Sequence, residues 1–155
     1  MSQSILPVFD TESLYVAYRY SKTIKILSLI DIVFNCLYLF ASYIYLVPLF
    51  FAWTGYYGAK KFKSSYTLVY LIYNIISTIG RISFSVYQYY YIYHNNLQEY
   101  YQIANFELFF SIFYFFFSMY IVKMINQFYR LITSFTPDEL NKLRFSEFRV
   151  EYIYW

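Results

Sequence analysis

Three ionisable side chains interrupt long apolar runs: Asp31 within positions 26–59, Arg81 within 66–93, and Glu107 within 103–122. A charge at the centre of a membrane helix costs at least about 2.5–3.5 kcal/mol, so such residues are retained for pairing, proton relay or conduction. Asn74, Ser77, Thr78, Arg81, Ser85 and Gln88 recur at three- and four-residue spacing, which is one helix face. Asn35 follows Asp31 by one helical turn and shares its face. Asp31, Asn35, Asn74, Ser77, Thr78, Arg81 and Glu107 are therefore the candidate intramembrane polar residues.

Enzymatic chemistry is poorly provided for. The single histidine, His94, has Asn95 and Asn96 beside it and reads as a solvated turn residue. There is no His/Cys/Asp/Glu cluster at metal-ligand spacing, no nucleophile elbow and no phosphate-binding glycine loop. The expectation is a non-enzymatic protein with no metal and no cofactor. Cys36, the lone cysteine, can form no internal disulfide and reads as a small buried hydrophobe. A net charge of +3 is too small to point to nucleic acid as a partner.

The elements that position these residues follow from composition. Hydrophobic residues make up 60% and charged residues only 14% of the 155, against roughly 25% charged in a typical soluble chain. Positions 1–21 lack an apolar core and contain Asp10 and Glu12, so no signal peptide is expected and the first span would direct insertion. A span needs about 20 residues. The second and third apolar runs each supply one. The first, as a single helix, would reach roughly 51 Å, so it reads as a hairpin turning at 42–46 with Pro48 in the first turn of the returning helix.

Charge placement supports that hairpin. Arg19, Lys22 and Lys25 precede the first span, Lys60, Lys61 and Lys63 follow the second, and Lys123, Arg130, Lys142, Arg144 and Arg149 follow the fourth. With four spans all of these lie on one side, and neither the 42–46 turn nor 94–102 carries a Lys or Arg. The positive-inside bias then sets both termini on the cytosolic, positive side. The expected fold class is all-α: a polytopic membrane protein of four transmembrane helices in an up-down bundle with short loops. The spans fall at about 24–42, 46–60, 66–92 and 103–125, within a single membrane domain. A tail over 126–155 carries a short interfacial helix announced by Thr136-Pro137-Asp138-Glu139, a capping box with Leu140, Leu143 and Phe145 on one face. Tyr87, Tyr89, Tyr90, Tyr91, Tyr93, Tyr100 and Tyr101 crowd the far side as an aromatic belt.

Depths follow from that topology. Asp31 lies roughly 9 Å in, Asn74 about 13 Å and Arg81 about 24 Å. Glu107, a turn or so below the far surface, then shares a level with Arg81, and an ion pair between them is expected as polar glue. Gly55 and Ala59 form a small-xxx-small pair for close helix packing. Lys60, Lys61 and Lys63 could meet anionic lipid headgroups besides setting topology. Tyr129-Arg-Leu-Ile132 matches a tyrosine-based sorting pattern of a kind that arises by chance among 23 tyrosines.

The functional expectation is a structural, scaffolding or assembly subunit of a membrane complex. Its partners would be the lipid bilayer and either other membrane subunits or further copies of itself. The alternative is a small pore or transporter subunit using the polar face around Arg81.

Overall fold

The structure, a computed structural model, describes residues 11–40 and 42–144. Phe145 and Arg149 lie outside the described residues. Five α-helices follow one another: α1 Thr11–Leu39, α2 Leu46–Lys61, α3 Ser64–His94, α4 Tyr101–Ser134 and α5 Pro137–Arg144. Short 3-10 turns at Tyr43–Tyr45 and Gln98–Tyr100 link α1 to α2 and α3 to α4. No strand occurs among the described residues.

Neither glycine nor proline interrupts α1 or α4. Nothing therefore breaks the backbone hydrogen-bond ladder within α1 or α4. The approach segment over 11–21 is continuous with the first apolar run, giving one helix of 29 residues. Pro48 is the third residue of α2, where a missing N–H removes no intrahelical bond. At the other end of α2, Phe62 adopts the left-handed conformation (φ 50°, ψ 44°) and the chain turns back at Gly58 O, which accepts from Lys63 N at 3.0 Å. Burial of the Phe62 ring, 6.0 Å from that of Phe128, offsets the strain of that conformation. Thr136 opens α5 through a reciprocal box: Glu139 N donates to Thr136 Oγ1 at 3.4 Å, and Thr136 N donates to Glu139 Oε2 at 2.7 Å. Leu143 is buried beneath α5 and Leu140 packs beside it.

The α3 and α4 helices, 31 and 34 residues, are long and apolar enough to cross a membrane. The first hairpin is shorter. Beyond Lys25 the apolar part of α1 extends for about 21 Å, and α2 has only 16 residues. From α1 to α4 each helix packs on its predecessor as a hairpin, α4 returns to touch α1, and α5 also rests on α1. The hydrophobic core lies at the end that carries the basic residues, where Leu14, Ile24, Ala59, Tyr70, Ile125 and Phe128 converge. Toward the far end α3 and α4 continue as a pair, with Phe109, Phe113 and Phe116 each more than 60% exposed.

Two small-residue seams set the packing. Between α1 and α2, Ser21 Oγ donates to Ala59 O at 2.8 Å, and the backbone at Gly55 lies so close to α1 and α3 that an added Cβ would stand 2.6 Å from the Tyr70 ring and 2.7 Å from Ser28 Oγ. Between α3 and α4, Ala104, Ser111, Ser118, Ile125 and Ile132 recur every seven residues on the inward face of α4. Seven-residue spacing is the period of a helix seam in left-handed packing.

Candidate intramembrane polar site

Asp31, in the last third of α1, accepts a 2.6 Å hydrogen bond from the Tyr70 hydroxyl of α3. Tyr70 is fully buried and its ring fills the space that Gly55 leaves open. A carboxylate surrounded by apolar helices is tolerable when a strong donor is fixed on it. Asn35 and Asn74 each stand one turn further out, and each donates its side-chain amide to its own helix, to Asp31 O and Tyr70 O at 2.8 Å. The three polar residues expected at one depth are thus neighbours in level, and Asp31 is the one that binds across helices.

The stripe on α3 divides between two faces. Thr78 and Ser85 point at α4, hydrogen-bonded to Ser118 and Ser111, and Thr78 Oγ1 also donates to Asn74 O at 2.7 Å. Ser77 points the other way, into a cleft of about 530 Å³ between the first hairpin and α3. Asn35, Tyr45, Pro48, Phe51, Ile76 and Arg81 are among its other walls. Arg81 stands between the two faces. Its side chain is exposed, with the guanidinium carbon 4.9 Å from the centroid of the Tyr114 ring, a cation–π arrangement.

The expected ion pair of Arg81 with Glu107 is corrected by this register. Thr78 opposite Ser118 and Ser85 opposite Ser111 put Glu107 opposite Tyr89, about two turns or 12 Å beyond Arg81. Side chains lean toward the N-terminus of their own helix. Arg81 on outward-running α3 leans back toward the basic end, and Glu107 on inward-running α4 leans away. The two line opposite ends of a second groove, of about 460 Å³, and the guanidinium takes Tyr114 instead.

At the basic end Lys60 Nζ lies 5.6 Å above the Tyr56 ring, and Lys63 Nζ lies 5.7 Å from Tyr57 and 5.6 Å from Tyr66. Lys61 O accepts from Arg144 Nε at 2.8 Å, fastening α5 under the α2–α3 turn. Cys36 is exposed, not buried. It follows Asn35 and so sits about 100° round the helix from the packed face. His94 closes α3 with its ring stacked on Tyr90 at 5.4 Å. Ile132 of the tyrosine-based pattern is buried in the core, so that segment is not displayed for recognition.

Tyr70, Tyr114, Ser111 and Ser118 were not singled out by sequence reasoning. For the two tyrosines no signal separated them from the other 21. For the serines a signal existed: their seven-residue separation matches that of Thr78 and Ser85 on the facing helix. No group of three or more His, Cys, Asp or Glu gathers among the described residues. What the arrangement can do is hold helices in register and present one cation at an apolar cleft. Comparison with known protein families, curated proteins and solved structures finds no match.

Proposed function

We propose that the chain is a non-enzymatic integral membrane protein in which α1 to α4 are four spans in up-down order, both ends lie on the basic side, and the bundle serves as a structural or assembly subunit of a membrane complex. The observation that carries this reading is the distribution of burial. The core is confined to the basic end, while the apolar far half of α3 and α4 presents its phenylalanines outward. Such a surface needs lipid or another membrane protein to cover it. Most of the interior polar side chains are spent on helix–helix or own-helix hydrogen bonds, which supports packing in preference to turnover.

Single cysteines at Ser42, Lys61, Asn96 and Ser134, with Cys36 replaced by Ser, test the topology. Impermeant thiol labelling is expected to reach 61 and 134 from one side, and 42 and 96 from the other. Labelling of 42 from the same side as 61 would reduce the first hairpin to a re-entrant one. Recovery of stoichiometric companions in mild detergent tests the assembly role; a solitary monomer in several detergents argues against it.

One observation favours the pore or transporter reading: Arg81 borders grooves on both sides of α3, with Asn35 and Ser77 in one and Gln88 and Glu107 in the other. Ion or solute flux into vesicles that is abolished by Arg81→Gln would support it.

A further inference from the structure

We infer that the cleft between the first hairpin and α3 seats one glycerophospholipid, with its phosphate on Arg81 beside Asn35 and Ser77 and an acyl chain along the Pro48, Phe51, Ile72 and Ile76 wall. The inference rests on the membrane reading above.

Charge complementarity is the first ground. Arg81 is exposed on a helix whose surroundings are apolar, and its side chain is engaged by the face of Tyr114, which supplies no counter-charge. The Asp31 carboxyl of α1 is bonded instead to the Tyr70 hydroxyl, at 2.6 Å. A guanidinium in lipid is stabilised by drawing in a phosphate, which it meets with two parallel N–H donors. The Asn35 amide uses one N–H on Asp31 O and has a second donor.

Depth is the second ground. Tyr45, in the turn between α1 and α2, lines the same cleft as Arg81. The short hairpin therefore ends at the level of Arg81, well inside the point where α3 ends and α4 begins. The turn exposes Tyr43, Ile44 and the polar Ser42, and a turn's free backbone groups require water or headgroups. A hairpin whose apolar stretch in α1 rises only about 21 Å beyond Lys25 draws the far headgroups inward beside it, which brings a phosphate to the depth of the guanidinium. The same thinning leaves an acyl chain to lie against the cleft wall.

The test uses the full chain purified in mild detergent and exposed to phosphatidylglycerol, to diacylglycerol with the same chains, or to inorganic phosphate. Native mass spectrometry counts what is retained. About one phosphatidylglycerol per chain is expected, with little diacylglycerol and no inorganic phosphate. Arg81→Gln is expected to lower retention at least about tenfold. Ile76→Trp, which fills the wall without touching the charge, is expected to lower it as well, and Lys60→Gln with Lys63→Gln to leave it unchanged. Circular dichroism screens out variants that do not fold. Equal retention by Arg81→Gln, equal binding of diacylglycerol, or binding of inorganic phosphate alone would each overturn the inference. A chain that stays monodisperse without detergent would instead remove the membrane reading beneath it.

Discussion

Gly55 and Gly80 show how differently one residue type is used. A methyl group at Gly55 would meet the Tyr70 ring at 2.6 Å, whereas at Gly80 it would meet nothing within 4 Å. Gly55→Ala is expected to lower stability by about 1–3 kcal/mol through overpacking. Gly80→Ala is expected to be neutral or to gain roughly 0.5–1 kcal/mol from reduced backbone freedom. Unfolding in mixed micelles, followed by circular dichroism, distinguishes the two. Arg81 and Glu107 provide a second comparison at this scale. Arg81→Glu should weaken the fold, and adding Glu107→Arg should not rescue it, because the helix register separates the two positions by about 12 Å. Rescue to parental stability would mean that the pair meets after all.

The elements differ in what holds them. In α3 and α4 the seam of small and hydroxyl-bearing residues allows close approach, and the hydroxyl pairs fix register without placing a charge inside. α5 depends on local chemistry instead. Its eight residues are too few to be helical alone; Thr136 and Glu139 cap it and Leu143 anchors it. Thr136→Ala is expected to cost about 1 kcal/mol. Hydrogen exchange should localise the loss of protection to 137–144 and leave α4 unchanged; a loss spread through α4 would show that α5 is integral to the core. The capping box was legible from the sequence, since it depends on residue type and local spacing. The Asp31–Tyr70 contact was not, because Tyr70 differs from its neighbours only in which direction it faces.

At the scale of the whole molecule, the basic end carries the core and the cations together, and the far end carries exposed aromatic surface. Under the four-span reading, Lys60, Lys61 and Lys63 keep the α2–α3 turn on the positive side. Replacing all three with Gln is expected to produce a mixed population in which a cysteine at Asn96 is labelled from either side. Uniform labelling from the far side alone would assign orientation to the other basic residues.

The sequence by itself determined the helical class, the bounds of the long apolar runs and the cap before α5. These follow from composition and from contacts within a few positions along the chain, where spacing is geometry. Tertiary structure alone decided which tyrosine meets Asp31, that Arg81 faces Tyr114 and not Glu107, and that Cys36 is exposed. It also decided how far the first hairpin reaches beside α3. Each of these depends on the rotation and sliding of one helix against another, and a sequence of near-uniform apolar runs leaves both undetermined until the small residues lock together.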